Sequence, residues 1–340
     1  MLVTGHTGFK GAWLIQLLIH LEIPTIGYSL KPEKDSLYQS ASLTGLIPER
    51  FADIRDREAL QSFVDEHKPS SILHMAAQPL VLKSYKEPEE TFSVNVMGTA
   101  SILDLAFKVS SVTRVGIVTT DKVYKNENQG RRFKENDTLG GKDPYSASKV
   151  GTESVVAAWQ QIQKFSGGPK TIALRAGNVI GGGDFASDRI VPDLVRARVS
   201  SNNIVLRNPE STRPWQHALD PLLGYLSTLD KIEEVSKVAG ALNFGPNSES
   251  LSVEVLVDTF NKIWNKYPIQ KVIETDLQKE LEAKSLELDS TLAEKLTGWR
   301  PRMDQIEAIE CTARWWDDVL TQRLSPSQAC QRDIRDFINL

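Results

Sequence analysis

Cysteine is nearly absent: Cys311 and Cys330 are the only two in 340 residues. Two thiols cannot build a disulfide framework, and they point to a reducing, cytoplasmic compartment. Histidine is scarce and scattered, at positions 6, 20, 67, 74 and 217, without ligand spacing, so no metal site is expected. No run of ~20 apolar residues offers a membrane span. Met1-Leu2-Val3-Thr4-Gly5 lacks the basic-then-apolar order of a signal peptide. An excess of one charge is missing too. Forty basic against 44 acidic side chains leave a net charge of −4, so no polybasic field draws nucleic acid or anionic lipid. An anionic small molecule would have to be held by local Arg and Lys. What remains is an ordinary globular balance, 40% hydrophobic and 25% charged with 21 Gly and 16 Pro. It excludes disorder, collagen and coiled coil and suits one large domain or two sharing a cleft.

The first 175 residues alternate short apolar runs with helical stretches. Strands are expected at 2–4, 25–28, 71–75, 114–119 and 171–175, with helices near 11–22, 56–67, 87–109 and 144–165. This alternation implies right-handed βαβ crossovers, hence an α/β, doubly wound parallel sheet with helices on both faces. Such sheets bind ligands outside the carboxyl ends of their strands. Only three residues precede Thr4, against about five to six in a mean strand, so the first strand is expected to begin upstream of residue 1. Beyond 176 the pattern loosens into Gly-, Pro- and Arg-rich loops, with strands expected at 204–207 and 241–244 and helices near 217–231, 252–265 and 303–321. Residues 176–325 read as a smaller mixed α/β lid with some segments returning to the first domain, and 326–340 as a tail. The charge-rich run 276–287 reads as a solvated helix face.

Gly5-His6-Thr7-Gly8-Phe9-Lys10-Gly11 is a GxxGxxG loop between an expected strand and an expected helix. Glycine lets the chain turn sharply and lets its backbone approach a diphosphate, whose charge then sits at a helix N-terminus. A structural tight turn satisfies the same spacing, but the flanking elements favour a dinucleotide. A nucleoside-triphosphate loop fits less well, because Lys10 precedes Gly11 and no Gly-Lys-Ser/Thr follows. The second strand ends Gly27-Tyr28-Ser29-Leu30, with no carboxylate for a ribose 2′-hydroxyl, so these residues leave NAD and NADP both open. Asp53, at the end of the next strand, either serves the ligand or caps the helix starting near Asp56.

Asp143-Pro144-Tyr145-Ser146-Ala147-Ser148-Lys149 opens a long helix, with Pro144 suited to its first turn. The i, i+4 spacing puts Tyr145 and Lys149 on one face. A nearby ammonium favours phenolate, pulling the tyrosine from its reference value near 10 towards working pH, where it can take a proton from a hydroxyl. Tyr267 and Lys271 share the spacing, but Pro268 argues against a helix interior there. The strand ending near Thr119 runs into Thr120-Asp121-Lys122, which faces the same cleft and offers an acid and a base of unlike charge. A turn Asp beside a solvated Lys is the plainer reading of that pair alone.

Taken together, Gly5 to Gly11, His74-Met75-Ala76-Ala77-Gln78-Pro79, Asn95-Val96-Met97-Gly98-Thr99, Thr120-Asp121-Lys122, Tyr145 to Lys149 and Arg175-Ala176-Gly177-Asn178 resemble the extended short-chain dehydrogenase/reductase family. Within it, the longer blocks RAGNVIGGGD at 175–184, Arg189-Ile190-Val191-Pro192-Asp193 and RNPESTRPWQH at 207–217 resemble the CDP-glucose 4,6-dehydratases. The likeness covers about 1–320 and fades beyond.

The resemblance implies a Rossmann domain and a nucleotide-sugar lid, with CDP-glucose as substrate and NAD as a cofactor that ends as it began. It places NAD on Gly5, Thr7, Gly8, Phe9, Lys10 and Gly11, with Asp53 and Ile54 at the third strand end. Ala76, Ala77, Gln78, Asn95 and Thr119 would line its remaining length, with Tyr145 and Lys149 at the nicotinamide end. Tyr145 would deprotonate the sugar 4-hydroxyl as hydride leaves C4, with Thr120 bonded to that hydroxyl and Lys149 on the ribose. The 4-ketone acidifies the C5 proton. Lys122, where related dehydratases carry a glutamate, would remove it, and Asp121 would protonate the departing 6-hydroxyl. Burial or a neighbouring cation would keep that lysine partly neutral. Asn178, Arg189 and Arg213 would grip the substrate's pyrophosphate. Gln78, Thr120 and, on the cleft wall with Trp215, His217 would also face substrate. The helices near 87–109 and 144–165 would pair in a homodimer or homotetramer with no nucleic-acid or membrane partner.

Leu82 replaces a basic residue usual in related chains, with Lys83 as the substitute, and Leu281-Glu282-Ala283 stands where they show His-Glu-Ala. Both departures bear on the nucleotide more than on the chemistry. Gly181-Gly182-Gly183-Asp184 either brings backbone close to a ligand or makes a plain turn. Trp299 reads as a core anchor. A nucleotide-sugar 4-epimerase or reductase of the same fold is the rival enzyme, and Asp121-Lys122 argues against it because epimerisation at C4 needs no acid and base at C6 and C5. A non-catalytic dinucleotide sensor is the other rival, opposed by Thr120, Tyr145 and Lys149.

Overall fold

The computed structural model describes residues 1–340 except 128, 129, 188, 207, 267 and 274–285. The Leu281-Glu282-Ala283 departure, Tyr267 and nearly all of the 276–287 run therefore lie outside the described residues.

Seven short apolar segments form one parallel sheet: β1 (Leu2–Thr4), β2 (Ile26–Ser29), β3 (Glu49–Phe51), β4 (Ser71–His74), β5 (Arg114–Val118), β6 (Lys170–Ala176) and β7 (Ala241–Phe244). Their order is β7-β6-β5-β4-β1-β2-β3, with every pairing parallel. Residues of β1, β4 and β5 are almost all buried, as a sheet covered on both faces requires. One face packs on a cluster holding Trp13, Leu17, Leu222, Phe244 and Trp315, the other on Phe63, Ile102, Leu105 and Val156. The chain reverses its direction across the sheet between β1 and β4, which opens a crevice at their carboxyl ends.

The expected helices form, with two instructive differences. Asp56, not Asp53, caps the Arg57–His67 helix, its side chain accepting from Ala59 N. The stretch expected as one helix at 87–109 is three pieces: Pro88–Phe92, a π-helical turn Ser93–Met97, and Gly98–Lys108. At the widened turn the Asn95 carbonyl accepts from the Thr99 and Thr152 hydroxyls, at 2.7 and 2.9 Å. Those competing donors account for the lost helical regularity, and such bulges cluster at functional sites.

After β6 the chain makes three two-stranded pairs, Val179–Ile180 with Gln216–His217, Thr212–Arg213 with Leu251–Ser252, and Ile204–Leu206 with Lys271–Ile273. The helices Ile190–Ser200, Leu219–Asp230, Val253–Ile263 and Gln305–Leu320 accompany them. Trp299 is buried and donates to the Asp220 carbonyl at 2.9 Å, a core anchor as read. The segment read as a tail is instead a helix, Pro326–Ile338, opened by a capping box between Ser325 and Gln328. Cys330, Ile334 and Phe337 bury one face of it, and Trp315 Nε1 donates to Cys330 Sγ at 3.3 Å. No helix among the described residues is long and apolar enough to cross a membrane.

The glycines at 181–183 serve packing rather than a ligand. A Cβ on Gly182 would lie 1.9 Å from the Trp315 ring, and Gly183, at φ +77°, would meet Leu37. Trp13 Nε1 donates to the Gly182 carbonyl at 3.0 Å, closing the fit. Gly182→Ala is therefore expected to cost about 1–3 kcal/mol by overpacking, measured as a lower denaturation midpoint; an unchanged midpoint would contradict this packing.

Candidate active site

The crevice begins at the first glycine loop. Gly5 sits at φ +75°, and a Cβ there would come within 2.7 Å of Ala76 N; a Cβ on Gly11 would come within 2.3 Å of the Gly5 carbonyl. The loop is thus pressed onto the chain leaving β4, and only glycine permits it. Gly8 caps the Phe9–His20 helix without any side-chain bond, leaving its first-turn N–H groups to a ligand. That cradle fits the diphosphate of a dinucleotide. Thr7 shares a 2.8 Å hydrogen bond with the Ser29 hydroxyl at the end of β2. Asp53 stands at the rim beyond β3. Arg55 binds its carboxylate at 2.9 and 2.7 Å and holds it below the usual carboxylate range, and Arg55 also pairs with Glu90. Ile54 is buried and lies where a Cβ on Gly98 would touch it, at 2.9 Å.

Two candidates prove to be internal braces. Gln78 Nε2 donates to the Thr91 hydroxyl at 2.9 Å while its Oε1 accepts from Leu80 N at 2.6 Å. Asn95 accepts from Gln78 N at 2.8 Å and donates to the Gln78 carbonyl at 3.1 Å and the Ser148 hydroxyl at 2.8 Å. These amides fix the Ala76-Ala77-Gln78 backbone that borders the crevice. His74, buried at the end of β4, bonds the Thr4 hydroxyl at 2.7 Å, and burial followed by the nearby Lys149 pulls it down to about 3.

Tyr145 and Lys149 project from the Pro144–Ser166 helix, which Asp143 caps by accepting from Ser146 N. Ser84 Oγ accepts from Tyr145 N at 3.1 Å, a brace that nothing in the sequence signals. Lys149 Nζ donates to the Val118 carbonyl at 3.2 Å, and burial pulls it down to about 8. The phenol behaves contrary to expectation: burial pushes Tyr145 up to about 12, while the hydrogen bond with Thr120 works the other way. Desolvation outweighs both the Thr120 bond and the positive charge of Arg189. Thr120 Oγ1 donates to Asp121 Oδ1 at 2.9 Å, and Asp121 is buried with its carboxyl raised, chiefly by burial. Lys122 occupies the same short turn but its side chain is exposed, so the burial expected around a lysine base is absent. Its charge nonetheless acts on Asp121. Thr119 turns away from the crevice and donates to Glu153 at 2.6 Å.

Cations gather over this centre. Lys10 donates to the Tyr225 hydroxyl at 3.4 Å, and burial, then Lys149 and Arg189, pull it down to about 7. Arg189 is bound at 2.9 Å to buried Asp184, and its charge reaches Tyr145. Arg213 bonds the Ser211 hydroxyl at 2.6 Å and acts on Asp121. Asn178 stands half-buried just after β6. Lys83 pairs with Glu87 at 3.5 Å on an exposed surface, and Leu82 is exposed beside it. Tyr225, fully buried and facing Tyr145 and Asp121 electrostatically, escaped sequence reasoning because its helix carries no motif. His217 does not reach the site. It is fully buried, packs edge-on against Trp13 at 5.2 Å and is pulled down to about 3 by burial, which corrects its reading as a substrate contact. With buried Cys311 and Asp333 it offers ligand atoms within 4.8 Å of one another. Its Nδ1 already accepts from Leu219 N at 3.3 Å, leaving the proton on Nε2, and Nε2 itself finds no hydrogen-bond partner.

The arrangement supplies a hydrogen-bonding hydroxyl, a buried phenol, a protonatable carboxyl and several cations around a dinucleotide cradle. Residues 2–312 match the model of the family described as GDP-mannose 4,6 dehydratase. The chain is 39% identical over 321 residues to the CDP-glucose 4,6-dehydratase of Salmonella typhimurium, covering 92% of this chain and 89% of that protein. It is 24% identical to the dTDP-glucose 4,6-dehydratase of Xanthomonas campestris pv. campestris, over 93% and 92% of the two chains. Among solved structures, a UDP-glucose 4-epimerase of Stenotrophomonas maltophila with bound NAD superposes with a TM-score of 0.82 at 19% identity, covering 95% and 99%. A dTDP-glucose 4,6-dehydratase of Streptomyces venezuelae with NAD bound superposes at 0.77 and 21%, covering 94% and 98%; both share the fold.

In cofactor-free protein, a difference titration of wild type against Tyr145→Phe is expected to show no ultraviolet phenolate band below about pH 10, the reference tyrosine value. A band at pH 7 would overturn the desolvated phenol described above.

Proposed function

The chain belongs to the GDP-mannose 4,6 dehydratase family, and from that premise we propose that it is an NAD-dependent hydro-lyase converting CDP-D-glucose to CDP-4-dehydro-6-deoxy-D-glucose for deoxysugar synthesis. The reading is carried by the buried Asp121 carboxyl beside Thr120 and Tyr145, in a chain 39% identical to a CDP-glucose 4,6-dehydratase. When bound, NAD supplies the acceptor, and then the donor, of the sugar's hydride.

The protein's own groups handle protons and position. Tyr145 takes the proton of the 4-hydroxyl, and Thr120 holds that oxygen. A phenol near 12 needs help: Thr120 and Arg189 already pull it towards the phenolate, and an ammonium on Lys149 one turn away would act in the same direction. Asp121 is the group suited to the leaving 6-hydroxyl, because burial raises its carboxyl and favours the proton-bearing form. Lys122, exposed at the mouth, is the candidate base at C5, and substrate seated over it supplies the missing burial. Lys10, Arg189, Arg213 and Asn178 are the groups for the phosphates of the two ligands. An epimerase would leave Asp121 without a task.

Exposed Phe92, Met97, Ile162 and Phe165 on the 88–108 and 144–166 helices support a homodimer through those faces, and the two free, buried cysteines support a cytoplasmic setting.

Purified protein with NAD, offered CDP-, dTDP-, GDP- and UDP-glucose, is expected to form a 4-keto product from the CDP sugar first. In D2O, deuterium enters at C5 and the C4 hydrogen reappears at C6. Asp121→Asn and Lys122→Ala are each expected to lower turnover by about 10²- to 10⁴-fold while CDP-glucose still binds. Inversion at C4 without loss of water would replace this reading by the epimerase.

A further inference from the structure

Glu153 follows Lys149 by one helical turn and Tyr145 by about two, so all three side chains share a face of the Pro144–Ser166 helix. Its side chain is 6% exposed, and that of Arg175, facing it from β6, is 5% exposed. Arg175 grips the carboxylate with two bonds, Nε to Oε1 at 2.9 Å and Nη2 to Oε2 at 2.8 Å. Arg175 Nη1 is spent on the Tyr124 hydroxyl at 2.7 Å and the Glu135 carbonyl at 2.9 Å. A third donor comes from the strand beside it, Thr119 Oγ1 to Oε1 at 2.6 Å. Burying an ion pair often costs more in desolvation than the attraction returns, so stability alone does not account for it.

Its position does. Side chains alternate along an extended chain, so Thr119 turned to Glu153 leaves Thr120 turned to the phenol of Tyr145. Lys149 is tied to the residue just before, through the Val118 carbonyl. Two successive turns of the helix are thereby fastened to successive residues at the end of β5. Lys10 and His74 also feel Lys149, from the first helix and from β4, Tyr145 precedes it on the helix, and Arg175 pairs with Glu153 one turn on. Glu153 is the neighbour whose charge raises the amine against the pull of burial.

We propose that Glu153, clamped by Arg175, is a positioning residue for the dehydration: it holds Thr119 so that Thr120 meets the Tyr145 phenol, and it balances the charge of Lys149. The proposal rests on the dehydratase reading for its substrate but not for its geometry. In the full chain loaded with NAD, Glu153→Gln is expected to lower kcat on CDP-glucose about tenfold or more with KM changed less than about threefold. Losing the anion lowers the Lys149 pKa further, so the alkaline limb of kcat moves to lower pH, by roughly half a unit or more. Independently of turnover, the pH dependence of Lys149 acetylation, followed by mass spectrometry, shifts the same way. Glu153→Asp keeps the charge but shortens the reach, so Lys149 titrates near wild type while kcat still falls. Because Glu153→Gln strands a buried guanidinium, Glu153→Gln/Arg175→Met provides a neutral pair that folds, and its kcat stays low. A folded variant with wild-type kcat and wild-type Lys149 titration overturns the proposal. A wild-type protein that dehydrates no sugar nucleotide, yet shows the Lys149 shift on Glu153→Gln, overturns the dehydratase reading and leaves the positioning role standing.

Discussion

A single helix must bring a phenol, an amine and a carboxylate into a space closed to water, and the structure is organised around making that tolerable. Pro144–Ser166 starts on the Asp143 cap and ends at Gly167, which turns the chain at φ +75°. Between those points every buried charge finds a partner on the neighbouring strands: Lys149 at the Val118 carbonyl, Glu153 at Arg175 and Thr119. Unpaired, such groups would each be costly enough to unseat the helix. Paired, they set its height and rotation against β5 and β6, and with that the place of Tyr145 opposite Thr120.

The same water exclusion decides the electrostatics. Burial pushes Tyr145 and Asp121 up and pulls Lys149 and Lys10 down, so each group moves towards its neutral form. A protein of net charge −4 nonetheless keeps Lys10, Lys149, Arg189 and Arg213 around one crevice. That local reversal of sign suits two pyrophosphate-bearing ligands bound side by side, and a low-dielectric setting strengthens each contact they make. Burial thus works for Asp121 as a proton donor and against Tyr145 as a proton acceptor, and the cations around the phenol must make up the difference.

Much of this was legible beforehand where period and punctuation were strong. The strands at 2–4 and 241–244, the 144–165 helix with its Asp-Pro start, and the glycine loop all announce themselves by local residue type. The C-terminal helix was legible too, in Ser325-Pro326 with Gln328 and the apolar 330, 334, 337 spacing, but loss of the family likeness there led to a tail. Other features had no local signature. The π-turn at Ser93–Met97 comes from hydroxyls of Thr99 and Thr152, the second more than fifty residues away. Gln78 and Asn95 were marked by the family likeness and by no local signal, and their bonds to each other come from segments seventeen residues apart. Gly182 was open between a ligand approach and a plain turn, and it makes room for Trp315.

Residue order alone settles the fold class, the crevice end of the sheet and the chemical types gathered there, because hydrophobic period, glycine and the i, i+4 rule act within a few residues of each other. Which ionisable groups are dry, which amides are already used and which charges meet across the sheet depends on contacts between distant segments. Lys122 exposed and Asp121 buried are chain neighbours with opposite fates. Desolvation is a property of the surrounding volume, and that volume exists only once β4, β5, β6 and their helices have come together.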